Sequence, residues 1–316
     1  MHWRAILRLF GILLMFYSLN FVPSILVSLF YEDGELNVFL LSMLSVIAIG
    51  AVLWGANAQE RQELSVRDGF LVVTLFWILL GLVGALPFLF GLHLDVTDAV
   101  FESISGFTTT GATVITGLDQ LPPSILYHRQ QIQWLGGMGI IVLAVAIMPL
   151  LGVGGMQLYR AETSGVAKDE KLTPRIAETA RSLWIIYLIL TALCGVAYYF
   201  AGMTLFDAVG HAFTTVATGG FSTHDDSLGF YNSPLIEFIA IIFMLAGGIN
   251  FAVHFIVFRK KMLSPYVKDA EVRTYGLVFL LASLFVAFSL YLSHAYGTVL
   301  ESLRYAAFQV ASVLTS

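Results

Sequence analysis

The chain has 316 residues, of which 58% are hydrophobic and only 12% are charged, with a mean hydropathy of +0.84. Soluble domains carry about 25% charged residues, so this composition excludes a soluble globular protein. The formal net charge is −5, and the single cysteine, Cys194, lies in an apolar run, which excludes a disulfide framework and cysteine-based metal sites.

Basic residues are concentrated in four short patches between or beside long apolar runs. The patches hold all but two of the 16 Lys and Arg residues and occupy 4–8, 61–67, 160–181 and 259–273. Basic residues at the ends of spans mark the cytoplasmic side of a membrane, so this distribution predicts a cytoplasmic N-terminus. The two remaining bases, Arg129 and Arg304, fall on the predicted outer side, where acidic residues dominate and attract cations.

Apolar runs long enough to cross a bilayer recur along the chain, since a helix needs about 20 apolar residues to cross the hydrocarbon. We predict spans at 6–30, 36–56, 70–91, 132–152, 182–202, 234–258 and 274–295. The first two spans are joined by a short acidic turn at 32–35 and form a leader. The predicted fold class is an all-α polytopic membrane protein in which two extra spans precede the rest.

The outer segments between later spans repeat each other. The first contains DAVF at 98–101 and FTTTGAT at 107–113, and the second contains DAVG at 207–210 and TVATGGFST at 215–223. We align Gly111 with Gly219, which places the glycine 13 residues after Asp98 and 12 after Asp207. A third copy begins at Glu301. Repeats of this kind must be recognised before single motifs are interpreted.

The repeat predicts the domain organisation. The predicted parts are a leader (1–68), complete pore-loop units (69–158 and 182–258), cytoplasmic loops (159–181 and 259–273) and an incomplete third unit (274–316). The returning spans share the glycine pairs at 136–137 and 247–248. Close helix packing is the simpler interpretation of these pairs, and a hinge is the alternative. For Asn250, a polar contact in the lumen and a bond to a neighbouring helix stay equally open.

Residues 97–107 predict a short helix, capped by Thr97 or Asp98, that is too short to cross a bilayer. We interpret it as a re-entrant pore helix whose C-terminal carbonyls favour a cation at the membrane centre. The irregular backbone that follows must be buried or line a water-filled path. Gly111 permits positive φ, and rings of carbonyl and Thr oxygens can replace the hydration shell of an alkali cation. Glu102 and His211 on these helices could bind ions or brace the loops.

These units resemble the Trk/Ktr/HKT potassium transporter superfamily, and the leader and the sequence TTTGATV at 108–114 resemble its bacterial TrkH-type subunits. The resemblance covers nearly the whole chain, and it implies a K⁺ channel-like fold of repeated span–pore helix–filter loop–span units after the two extra spans. It implies potassium uptake across the bacterial inner membrane through a filter of backbone carbonyls. The ion-facing residues that it implies are Thr109, Thr110, Gly111, Ala217, Thr218, Gly219, Thr315 and Ser316. Relatives carry four units, so this chain is expected to be C-terminally incomplete.

The resemblance also implies partners. These are K⁺ as transported ion without an organic cofactor, membrane lipid, a second copy in a homodimer, and a cytoplasmic nucleotide-binding (RCK-type) subunit that gates the pore. No nucleic acid is expected, and no nucleophile–base set or carboxylate pair suggests an enzyme. The alternatives are a proton- or sodium-coupled K⁺ symporter of the same architecture and a non-conducting subunit of a membrane complex. The latter predicts paired intramembrane ionisable residues, whereas only His254 lies well inside a predicted span.

Overall fold

A computed structural model describes residues 2–59, 66–142 and 172–315, and within these ranges the secondary structure is helical without strands. The chain divides into two compact units. The first comprises Met1–Gln133 and Phe221–Asp225, and the second comprises Trp134–Gly220 and Asp226–Ser316.

The leader of the first unit is a helical pair. Helices α1 (Trp3–Tyr17) and α2 (Phe21–Tyr31) form one apolar stretch, which a left-handed Glu32 ends before α3 (Leu36–Ala56). Helices α1 and α3 touch through glycine, because a Cβ on Gly11 would lie 2.6 Å from the carbonyl oxygen of Gly50. The leader therefore packs by close backbone approach, as membrane helices commonly do.

Four further helices follow the leader. They are α4 (Val66–Gly84), α5 (Leu86–Phe90), α6 (Val96–Phe107) and α7 (Pro123–Val142). The predicted span 70–91 corresponds to α4 with α5. Helix α7 begins nine residues before the predicted start at 132, and the end predicted at 152 lies outside the described residues. The hydropathy of the sequence did not reveal the first turns of α7, because these turns contain the polar yet buried residues Arg129, Gln130 and Gln131.

The second compact unit contains the end of α7 and then α8 (Leu172–Phe200), which starts ten residues before the predicted span, inside the predicted cytoplasmic loop 159–181. The rest of that loop lies outside the described residues. The unit continues through six helices. They are α9 (Leu205–Val216), α10 (Pro234–Gly248), α11 (Phe251–Lys260), α12 (Ser264–Lys268), α13 (Ala270–Leu292) and α14 (Val299–Thr315).

The predicted span 234–258 corresponds to two helices, α10 and α11, between which the chain bends by 92°. Ile249 is extended, and Asn250 caps α11 by accepting a hydrogen bond from the N–H of Ala252 at 3.0 Å. The break leaves carbonyls at the end of α10 without helical partners. His254 of α11 donates through Nε2 to one of them, that of Ala246, at 2.8 Å. The polar contacts at the break therefore offset the lost helical bonds.

Several described helices have the length and composition of membrane spans. They are Trp3–Tyr31, Leu36–Ala56, Leu71–Phe90, Ala180–Phe200 and Ala270–Leu292, with the bent pair α10–α11 as a further broken span. Helices α6 and α9 have only 12 residues each and are too short to cross. The prediction of an all-α, multi-pass membrane fold is confirmed.

Candidate functional site

The first candidate loop leaves α6 through a tight C-terminal turn. The N–H of Thr109 donates to the carbonyl of Gly106, and the N–H of Thr110 donates to that of Ser105, both at 2.9 Å. Thr109 is left-handed, with φ of 55°. A left-handed residue at this place is a common way to end a helix, although glycine usually provides it. The loop therefore turns at Thr109.

The second candidate loop leaves α9 through the same turn. The N–H of Thr218 donates to the carbonyl of Thr215 at 3.1 Å, and that of Gly219 donates to Thr214 at 2.9 Å. Thr218 has φ of 53°, almost the value of Thr109. The two loops share backbone conformation as well as sequence.

The backbone shifts the predicted pairing of the two loops by one residue. Gly111 and Gly220 have positive φ, 74° and 86°, whereas Gly219 does not, so Gly220 rather than Gly219 matches Gly111. Gly219 matches Thr110, and Ala217, like Thr108, still has near-helical dihedrals. Alignment by residue type failed because two glycines are adjacent in the second loop and only the dihedrals distinguish them.

The third copy is a helix as far as it is described. Thr315 is the last residue of α14, and its hydroxyl donates to the carbonyl of Ala311 at 2.9 Å. Thr108 makes the same contact with Ile104 at 2.8 Å. Thr315 therefore stands at a helix end, and Ser316 lies outside the described residues.

Glu102 of α6 braces the backbone beyond the first loop. Its carboxylate is fully buried and accepts hydrogen bonds from the hydroxyl of Thr113, at 2.9 and 3.0 Å, and from the N–H of Val114 at 3.1 Å. The hydroxyl of Ser105 adds a bond to the carbonyl of Ala112 at 2.6 Å. These contacts are those of the bracing alternative.

Arg129 of α7 supplies the charge that compensates Glu102. Its Nε and one terminal nitrogen lie 2.8 and 2.7 Å from Oε1 of Glu102, and neither side chain is exposed. Sequence reasoning did not identify this pair. The sequence contained a signal for it, because Arg129 and Arg304 are the only two bases outside the four basic patches, and both form ion pairs. Arg304 of α14 binds both carboxylate oxygens of Glu237 on α10 at 2.6 Å.

His211 lies on α9, at the position that corresponds to Glu102. The ring is buried, and its Nδ1 donates to the carbonyl of Asp207 one turn earlier at 2.9 Å. The ring also contacts Tyr231 edge to face. These contacts hold the ring of His211 against its own helix and against Tyr231.

Asn250 bonds to a neighbouring helix, the second of the two alternatives. Besides capping α11, its amide donates to Glu271 of α13 at 3.1 Å. The preceding glycine pair allows close packing, because a Cβ on Gly247 would lie 2.7 Å from the carbonyl oxygen of Val216. The pair also ends α10, so here close packing and a break in the helix occur together.

The acidic segment that follows the second loop packs within the first unit. The carboxylate of Asp225 accepts hydrogen bonds from the N–H groups of Gly117, at 3.0 Å, and Leu118, at 3.2 Å. His224 donates through Nδ1 to Asp119, and this hydrogen bond lowers the pKa of the Asp119 carboxyl. Among the described residues, no group of His, Cys, Asp and Glu is arranged to hold a metal ion.

Comparison with known proteins gives consistent matches. The TrkH family, described as "Cation transport protein", matches residues 35–314. The "Trk system potassium uptake protein TrkH" of Halomonas elongata is 52% identical over 320 residues, and that of Escherichia coli is 50% identical over 319. Both matches cover 100% of this chain and 66% of the relative, so the chain spans just under two thirds of these curated relatives.

A solved structure matches as well. The "Crystal Structure of the Potassium Transporter TrkH from Vibrio parahaemolyticus" superimposes with a TM-score of 0.89 at 45% sequence identity, covering 99% of this chain and 64% of that one.

Proposed function

The chain belongs to the TrkH family of cation transport proteins, and we propose that it carries the leader and the first filter loops of a potassium uptake protein of the bacterial inner membrane. The relatives that it resembles are named as potassium uptake proteins rather than enzymes. The observation that carries the proposal is the repeated loop, in which a short helix ends at a left-handed Thr and a positive-φ glycine follows two residues later.

In the proposed mechanism, K⁺ enters from an acidic outer side and exchanges hydration water for backbone oxygens of the Thr/Gly loops. The first loop contributes the backbone oxygens of residues 109–111. In the register that the backbone dihedrals set, the second loop contributes those of residues 218–220. Ion contacts by Ala217, Thr315 and Ser316 stay predictions. Inward movement follows the membrane potential, which is worth about 2.3 kcal/mol per charge per 100 mV.

The topology and partners belong to the same proposal. The N-terminus is cytoplasmic, since the basic patches lie between spans on one side. The boundaries at 1–68, 69–158, 159–181, 182–258, 259–273 and 274–316 stand as proposed divisions. The basic loops 159–181 and 259–273 contact anionic lipid and dock the RCK-type regulatory subunit, and two copies form the homodimer.

Growth of a bacterium that lacks K⁺ uptake systems tests the proposal. The strain expresses either this chain or a form extended by the remaining third of a TrkH relative, and membrane insertion is verified for both. We expect the extended form to restore growth at low K⁺. Failure of both inserted forms overturns the proposal.

Coupling requires a separate measurement. Purified extended protein in vesicles with only a K⁺ gradient conducts K⁺ if it is a channel. Flux that needs an added proton or sodium gradient identifies the symporter alternative.

A further inference from the structure

Helix α7 contacts the segment that follows the second loop. Arg129 and Gln133 lie one helical turn apart, and the segment 221–225 belongs to the same compact unit. The Oε1 of Gln133 accepts from the N–H of Phe221 at 3.0 Å, and a terminal nitrogen of Arg129 donates to the carbonyl of Ser222 at 3.1 Å. The guanidinium also lies 4.4 Å from the ring centre of Phe221, a cation–π distance.

The same guanidinium contacts the exit of the first loop. Its other terminal nitrogen donates to the hydroxyl of Thr113 at 3.1 Å and to Glu102 at 2.7 Å. Glu102 in turn accepts from the N–H of Val114 at 3.1 Å. At the exit of the first loop, Arg129 therefore contacts Thr113 directly and Val114 through Glu102.

The two contacted residues are equivalent in the backbone register. Thr113 lies two residues after Gly111, and Ser222 lies two residues after Gly220, the two positive-φ glycines. The surroundings are tightly packed, because a Cβ on Gly106 would lie 2.7 Å from Ile132 and 3.2 Å from Phe221. The buried guanidinium of Arg129 thus contacts equivalent positions in two successive repeats.

We propose that Arg129 is a positioning residue that fixes the exits of both filter loops, with Glu102 as its counter-charge and Gln133 as its neighbour on the second exit. The inference rests on the proposed function, since it gives the loops their role in K⁺ selection. Arginine suits the position because its planar group presents several donors in fixed directions, whereas lysine is a single point charge. Three acceptors, Glu102, Thr113 and Ser222, use those directions.

The first readout is hydrogen exchange by mass spectrometry, on the purified extended protein in K⁺-free buffer. The peptides of interest cover Val114 and Phe221, whose N–H groups bond to Glu102 and Gln133. In Arg129→Lys we expect exchange in both peptides to rise about tenfold, because one charge cannot hold both exits. Unchanged exchange in either peptide overturns the two-loop role.

Two control variants keep the result interpretable. Thr113→Val removes only the hydroxyl at the first exit, so exchange should rise near Val114 and stay unchanged near Phe221. Glu237→Gln neutralises the carboxylate that pairs with Arg304 in the second compact unit, and it should leave exchange in both peptides unchanged. If Arg129→Lys fails to fold, Glu102→Gln replaces it, since it keeps the shape and removes the counter-charge.

The second readout is the ratio of K⁺ to Na⁺ uptake by vesicles that contain the same variants. We expect the ratio to fall about tenfold in Arg129→Lys together with the rise in exchange. A rise in exchange at both exits with an unchanged ratio overturns the positioning role. The exchange comparison needs no transported ion, so it tests the role of Arg129 independently of the proposed function. Failure of the proposed function would instead appear as absence of K⁺ uptake by the unsubstituted extended protein.

Discussion

Gly111 and Gly220 hold the same left-handed backbone conformation, with φ of 74° and 86°, two residues beyond left-handed threonines with φ of 55° and 53°. An L-residue with a Cβ is disfavoured in this region by roughly 1–2 kcal/mol, whereas glycine adopts it freely. Each loop therefore uses threonine for its first left-handed step and glycine for its second.

This relationship predicts different effects at the two adjacent glycines of the second loop. Gly220→Ala should lower K⁺ uptake by the extended protein at least tenfold, because alanine strains the backbone there by about 1–2 kcal/mol. Gly219→Ala should be mild, because Thr110 occupies the matching position in the first loop. Uptake kinetics at equal membrane abundance measure both variants. Equal loss in the two variants would contradict the register.

Gly247 provides a prediction about packing. A Cβ there would lie 2.7 Å from the carbonyl oxygen of Val216, a backbone atom that moves only with the end of α9. Gly247→Ala should therefore destabilise the protein by about 1–3 kcal/mol, the usual range for overpacking. Gly276→Ala on α13 is the control, since nothing lies within 4 Å of its Cβ position and alanine favours helix. Thermal unfolding in detergent should show a lower midpoint for the first variant only.

The fold could be predicted where long helices are mostly apolar, as in α3 and α13, because membrane-spanning helices are recognisable by composition. The prediction failed where polarity is buried. Arg129 and Gln133 reduced the hydropathy of α7, yet groups inside the protein bond to the guanidinium of Arg129 and to the amide oxygen of Gln133. The break after Gly248 was offered only as the hinge alternative, because the residues around it are apolar and a single capping residue, Asn250, does not distinguish a break from a continuous span.

The candidate site was predictable in kind but not in register. The repeat and its glycines indicated the two loops, since irregular backbone that follows a short helix at membrane depth has to be buried or line a water-filled path. Whether Glu102 binds ions or braces the loop depended on Thr113 and Arg129, which are 11 and 27 residues away. Local sequence does not encode such contacts.

Asn250 should stabilise the break between α10 and α11. Asn250→Ala removes the cap on Ala252 and the bond to Glu271, so we expect a loss of about 1 kcal/mol from the cap alone. Asn250→Ser keeps a cap acceptor and loses only the bond to Glu271. Its unfolding midpoint should lie between those of the unsubstituted protein and Asn250→Ala. Identical midpoints for all three would show that the cap contributes nothing.

Asp33 should make stability depend on pH. Partial burial favours the neutral form, but hydrogen bonds from the Ser28 hydroxyl and from the N–H groups of Ser124 and Glu35 outweigh it, so the pKa of Asp33 is lowered. Because the pKa of Asp33 is lowered in the folded protein, its carboxylate stabilises the fold at pH values above about 3.9, the pKa of Asp in an unfolded chain. That contribution is lost as pH falls from there through the folded pKa.

The unfolding midpoint of Asp33→Asn, compared with that of the unsubstituted protein, measures this contribution. The difference should be full near pH 6 and shrink below about pH 4, where the unsubstituted carboxyl becomes neutral too. Burial and the charge of Asp33 raise the pKa of neighbouring Glu35, so both proteins should also carry Glu35→Gln. Glu32→Gln, which removes the same charge from the same turn, is the control. A difference in unfolding midpoint that stays constant down to pH 3 would show that Asp33 acts through shape rather than charge. Protonation of Asp33 would then not weaken its contact with the N–H of Ser124 at the start of α7.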